Sequence, residues 1–231
     1  MKLKALIIAS IIAFFTPTVK ASDLIDTEPA PKLFTFGARL GVNASNRTFS
    51  SAYFDTWNVN SWGTGIDVGA VANINFKRYL SIQPGIFFQS RSGNYSYATP
   101  YLTNQNETET FYELGHMRSY NFNIPIMGVL RLSVMENFQW LVELGPYFQF
   151  RLHSSDGNQI IVPVRSPSQL LYDKRYAESN FFDFGIKFGS GIQVFDHYYF
   201  GIHYMAGICD VWKFPKGGKN KAWTFSIGYN F

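Results

Sequence analysis

The chain is poor in the residues that staple, ligate or titrate. It has one cysteine in 231 residues, Cys209, which cannot close an internal bridge, so a disulfide framework is excluded. Its four histidines are scattered and show no metal-ligand spacing, and no cofactor motif is present. Charged residues make up only 16% of the chain. The formal charge of +4 includes Lys2, Lys4 and Lys20, and without these 17 basic groups face 16 acidic ones, a balance that excludes nucleic acid as an expected partner. No later stretch approaches the roughly 20 apolar residues of a transmembrane helix, and the mean hydropathy of −0.07 is that of many soluble proteins.

The longest apolar run, Ala5 to Phe15, follows Lys2 and Lys4 and precedes Pro17 and Val19-Lys20-Ala21. That layout predicts a secretory signal peptide cleaved after Ala21, since the run is about half the length of a membrane anchor. Ser22, not a cysteine, stands immediately after the cut, which argues against a lipid-anchored protein. Residues 22–33 then form a periplasmic linker, and residues 34–231 one domain.

Aromatic residues are abundant, at 18% of the chain, and they alternate. Side chains of a strand point to opposite faces in turn. From Phe34 to Ser45 one parity carries Phe34, Phe36, Ala38, Leu40, Val42 and Ala44, and the other Thr35, Gly37, Arg39, Gly41 and Asn43. The same sorting holds from Trp62 to Phe76, Leu80 to Phe88, Tyr120 to Leu132, Phe138 to Leu152, Phe182 to Val194, Tyr198 to Ile208 and Trp223 to Phe231. Eight strands are predicted. Short links at 77–79, 133–137 and 196–197 alternate with long polar ones at 46–61, 94–117, 154–180 and 211–221, as in outer-membrane barrels with short periplasmic turns and long extracellular loops.

Charge decides which face meets lipid. Arg39, Asp67, Arg91, Arg131, Glu143, Arg151, Asp183 and Lys187 all share the glycine-rich parity, and Arg118 alone falls on the aromatic one, at a strand end. An Arg or Lys facing lipid at the midplane costs roughly 2–4 kcal/mol, so these residues are expected inside a narrow lumen, filling it as a network of paired charges. A soluble lipocalin-like barrel would instead need a polar outer face, which the glycines at 37, 41, 65, 69, 185, 189, 191 and 201 would weaken for no gain. The expected fold is therefore all-β, an eight-stranded antiparallel up-and-down transmembrane β-barrel. Aromatics such as Phe76, Tyr198, Tyr229 and Phe231 at one set of ends, and Trp62, Phe150 and Trp223 at the other, would mark the two membrane interfaces.

Pro84, Pro125 and Pro146 lie inside these strands, where each removes a ladder donor. Bulges are the expected accommodation. The stretches Ser81-Ile82-Gln83-Pro84-Gly85, Phe122-Asn123-Ile124-Pro125-Ile126, Glu143-Leu144-Gly145-Pro146-Tyr147 and Phe182-Asp183-Phe184-Gly185-Ile186-Lys187 resemble, in order, the PorT-like outer-membrane β-barrel domain family. The resemblance implies a barrel in the bacterial outer membrane, with an accessory role in type IX protein secretion as one inherited possibility and no catalytic residues to transfer. The closing alternation through Tyr229 to Phe231 is similar to the last-strand signal read by the barrel assembly machinery.

Catalysis is not expected. His203 is placed in the lumen, but Met205 stands where the His-x-Ser pattern of lipid A deacylases would need serine. Partners are expected in the outer-membrane lipid and, through the tyrosine- and asparagine-containing segment 90–110, in a protein or glycan. A small-solute channel is the remaining alternative.

Overall fold

The computed structural model describes residues 24–48, 61–102, 108–156, 159–165, 170–176, 178–214 and 218–231. The expected signal peptide and its cleavage site lie outside these residues. Eight strands close into one antiparallel barrel: β1 (Phe34–Thr48), β2 (Ser61–Asn75), β3 (Leu80–Leu102), β4 (Thr108–Met135), β5 (Phe138–Asp156), β6 (Phe182–Val194), β7 (Tyr198–Gly207) and β8 (Lys219–Asn230). Each pairs with its neighbours in the chain, and β8 returns to β1 over Gly37↔Asn230 to Thr48↔Lys219, so no edge is left open.

Burial is inverted relative to a soluble protein. Phe36 is 60% exposed, Val42 59% and Leu144 59%, whereas Arg39 is 6% exposed, Asp67 3%, Glu143 2% and Lys187 6%. Alternation dictates this: once one parity of a closed sheet is inward, the other must be outward. The lumen also needs small residues beside its large ones. A side chain at Gly201 would strike the Tyr199 ring, one at Gly69 the Phe87 ring, and one at Gly185 the Tyr147 ring.

Three expectations need correction. The polar stretch 94–117 is not a loop throughout, because β3 and β4 stay paired as far as Leu102↔Thr108. Its threonines and tyrosines favour extended chain as well as the membrane segments do, but it lacks the apolar parity by which those segments were recognised. The long connection 154–180 likewise holds a hairpin, Gln159–Arg165 with Leu170–Tyr176, and Glu178–Ser179 pairs with Trp212–Phe214.

The third correction concerns the prolines. Register shifts occur between Trp62 and Asp67 of β2, between Tyr120 and Asn121 of β4, and between Ser133 and Met135 of β4, none of them at a proline. Pairing keeps one register on both sides of Pro84, Pro125 and Pro146, and each simply omits local rungs. A bulge would flip the parity of every later side chain, which would send either lumenal charges or lipid-facing apolar groups to the wrong side. Losing a rung costs less than that.

Replacing Val42 by Arg is expected to destabilise the barrel by about 2–4 kcal/mol in urea titrations in lipid vesicles, because the cation would face hydrocarbon. The same charge already sits without penalty of that kind at position 39 on the opposite parity, and an unchanged midpoint for Val42→Arg would contradict the orientation.

Candidate functional site

The lumen gathers the eight residues singled out by their charge, and six of the eight strands contribute to them. Their carboxylates are satisfied mainly by amides and hydroxyls. Asp67 accepts from Asn43 Nδ2, from Gln89 Nε2 at 2.7 Å and from Thr224 Oγ1 at 3.4 Å. Asp183 accepts from Tyr147 Oη at 3.1 Å and Asn220 Nδ2 at 2.8 Å. Glu143 accepts from Tyr199 Oη at 3.1 Å and is in close contact with His203 Nε2.

The cations are held in a similar indirect way. Arg39 donates to Asn230 Oδ1 at 2.7 Å and lies over the Tyr199 ring, 4.2 Å from its centroid. Arg131 reaches Asn75 Oδ1 at 3.3 Å and Asn73 Oδ1 at 3.4 Å. Arg91 donates to Gln89 Oε1 at 2.9 Å and to Met205 Sδ at 3.0 Å, and the Lys187 ammonium stands 5.1 Å from the centre of the Phe87 ring.

The expectation of paired charges is therefore modified. Among the described residues, Arg39, Arg91, Arg131 and Lys187 make no direct ion pair with a carboxylate, and Glu143 instead contacts His203, a contact that is ionic only when the imidazole is protonated. Neutral amides take the place of direct pairs because each offers a donor and an acceptor, linking several strands without the full desolvation of an opposed ion pair. Asn43, Asn73, Gln83, Gln89, Asn220 and Asn230 carry this network. Sequence reasoning weighted formal charge and passed over them, although they share its parity.

Apolar residues on the inward parity were missed for the same reason. Met127, Val129, Leu141 and Tyr199 form one buried cluster, and Tyr147, Met205 and Ala222 another. A small cavity lies beside Arg39, Asp67, Glu143, Lys187, Tyr199 and His203, with room for about one water. Among the described residues no group of three potential metal ligands converges.

A closed barrel with ionic residues inside and aromatic ones outside fits one kind of solvent, a bilayer, and the match of residues 23–213 to the outer membrane protein beta-barrel domain specifies which. The chain belongs to that family. No curated protein matches it. Solved structures that resemble it include Ail, the attachment invasion locus protein of Yersinia pestis, at 11% identity and a TM-score of 0.38, over 85% of this chain and 99% of that one. OprG from Pseudomonas aeruginosa is 10% identical, with a TM-score of 0.42 over 90% of this chain and 99% of its own. LpxR from Salmonella typhimurium is 6% identical, with a TM-score of 0.30 over 83% and 99%.

The residues of the motifs that resemble PorT-like proteins fall at structural positions. Gly145 has its missing side chain aimed at the carbonyl of Ile126, 2.0 Å from where a Cβ would sit, so only glycine fits beside Pro146. Asp183 and Gly185 hold and make room for Tyr147. At the last strand Tyr229 and Phe231 are exposed, their rings 5.4 Å apart, and the Phe231 amide bonds the Phe36 carbonyl at 2.8 Å.

The linker before β1 is fixed along the short-turn rim. Ser133 N donates to Leu24 O at 2.9 Å, and Arg78 N to Glu28 O at 3.1 Å. The Arg78 guanidinium contacts Asp26 at 3.0 Å and Glu28 at 3.1 Å. The Glu28 amide, then Arg78, hold the Asp26 carboxyl below its usual range.

Two outcomes are expected. Asp67→Ala leaves Asn43, Gln89 and Thr224 without their shared acceptor and should lose about 1–3 kcal/mol of unfolding free energy, against a smaller loss for Asp67→Asn. The strap's ionic anchoring should be fully present above the ordinary carboxylate range near pH 4 and fade below it, as Asp26 protonates through its depressed value. Amide exchange measured over residues 24–33, corrected for intrinsic rate, would then rise in acid, and Arg78→Ala would abolish that dependence.

Proposed function

We propose that this outer-membrane barrel is a non-catalytic structural or surface-interaction protein that works through its long-loop end. The observation that carries the reading is the disparity between a filled lumen and an overbuilt end. A strand crosses the membrane in about 9–11 residues, yet β3 has 23 and β4 has 28, paired beyond the bilayer into a two-stranded arm. Backbone of that length, kept in register outside the membrane, serves contact with another molecule better than it serves closure of the barrel.

Opposite that arm the turns are short, which supports a periplasmic position for the linker and for both chain ends of the barrel. The alternating aromatic end through Tyr229 and Phe231 suits recognition by the assembly machinery, and the signal peptide suits export with cleavage after Ala21. On this reading the partner is a protein or glycan met at the cell surface.

A second reading rests on the motifs around Pro84, Pro125, Pro146 and Asp183, which resemble PorT-like proteins and favour an accessory part in type IX secretion. A small-solute channel is the less favoured alternative, since bulky side chains such as Tyr147, Leu141 and Met205 fill the lumen and the cavity beside Lys187 and Glu143 has room for about one water.

Three measurements separate these readings. Liposomes carrying the purified barrel should remain tight to small sugars and show no unit conductance, and reproducible single-channel steps would favour the channel. Shortening the arm by joining Gly93 to Met117 should leave heat-modifiable gel migration intact while abolishing capture of the surface partner by the intact barrel. Deleting the whole gene should leave secreted cargo at normal levels, whereas its accumulation in the periplasm would favour the secretion role.

A further inference from the structure

The three prolines within the membrane-crossing parts of the strands, Pro84, Pro125 and Pro146, omit rungs at one connected place in the wall. Apart from the register shift over residues 63–66 of β2 nearer the long-loop end, pairing between β2 and β3 is absent at Ala72–Pro84 and Asn73–Gln83, between β3 and β4 at Gly85–Pro125 and Ile86–Ile124, and between β4 and β5 at Ile126–Pro146 and Met127–Gly145. In each case the missing donor is the proline nitrogen, and its target is a carbonyl on the preceding strand: Ala72, Gly85 and Ile126. The gaps adjoin, because Pro84 and Gly85 are neighbours in β3 while Pro125 and Ile126 are neighbours in β4. By contrast the pairings β1 with β2, β5 with β6, β6 with β7, β7 with β8 and β8 with β1 run without a break.

Two further observations bear on this place. The small lumenal cavity reaches it, lined on that side by Val71, Gln83, Phe87, Pro125 and Met127 and on the opposite side by Arg39, Lys187, Tyr199, His203 and Thr224. Side chains also replace the lost rung in the first seam, where Gln83 Nε2 donates to Asn73 Oδ1 at 2.6 Å across the gap left by Pro84. Unpaired backbone is costly within a bilayer, so a wall with three omitted rungs side by side is the part whose opening sacrifices least.

We propose that the β2–β5 panel around Pro84, Pro125 and Pro146 is a built-in hinge of the barrel wall, an opening unit that admits water to the cavity beside Lys187 and Glu143 while the other half stays closed. Opening there separates strands whose ladder is already interrupted. The Gln83–Asn73 bond is the latch of the first seam.

The test is amide hydrogen exchange on the full barrel in lipid nanodiscs, read by mass spectrometry. Peptides covering 70–74, 83–87, 123–128 and 143–148 should exchange at least about tenfold faster, after correction for intrinsic rates, than those covering 186–192, 200–206 and 225–228, a difference within the range that local opening spans. Gln83→Met should accelerate exchange in β2 and β3 alone. Pro146→Val, which restores a donor opposite Ile126, should slow exchange in β4 and β5. Each variant is first checked for the folded mobility shift on unboiled gels. Equal protection around the wild-type wall would overturn the proposal even if no variant folded, as would folded Gln83→Met and Pro146→Val proteins whose exchange matches the wild type.

Discussion

Everything in this protein follows from one constraint, that backbone polar groups in hydrocarbon have no water to bond and must be satisfied within the chain. A sheet meets that demand only by closing, and β8 closing on β1 does so. Closure then fixes two faces, and the two solvents on either side of the wall select their residues. Arg39 cannot share a face with Leu40 because the lipid that accepts one rejects the other. The inward groups form a core that inverts the usual order, with amides and ions packed about Asp67, Glu143 and Asp183 and the apolar residues left to the outside.

The prolines test how strict the constraint is. Their rungs are absent, and the register survives because a shift by one residue would exchange the two faces over the rest of the strand. Side-chain bonds such as Gln83 to Asn73, and the close approach that Gly145 permits, repair part of the loss locally. The wall is thus unequal, complete in one half and interrupted in the other, and the lumenal cavity is bounded by residues of both halves. Position in the barrel, more than residue type, gives these motifs their meaning.

The paired arm of β3 and β4 obeys different physics. Beyond the membrane its strands no longer need two opposed faces, so Tyr95, Tyr97 and Tyr101 stand among polar residues in a stretch that still pairs. That is why the segment reads as a loop in sequence. Its length goes beyond what membrane crossing requires.

By itself the sequence determined the eight membrane strands, their order, and which parity faces lipid, because a period of two imposed by two solvents is written directly into residue order. It also placed Arg39, Asp67, Glu143, Asp183 and Lys187 together inside, since charge has one tolerable side of such a wall. Only the tertiary structure decided how those charges are satisfied, through Asn43, Gln89, Tyr199 and Asn230, because those contacts join residues from strands far apart in the chain. It alone decided that Pro84, Pro125 and Pro146 interrupt one panel, since adjacency across a sheet depends on the stagger of strands, which no local pattern encodes.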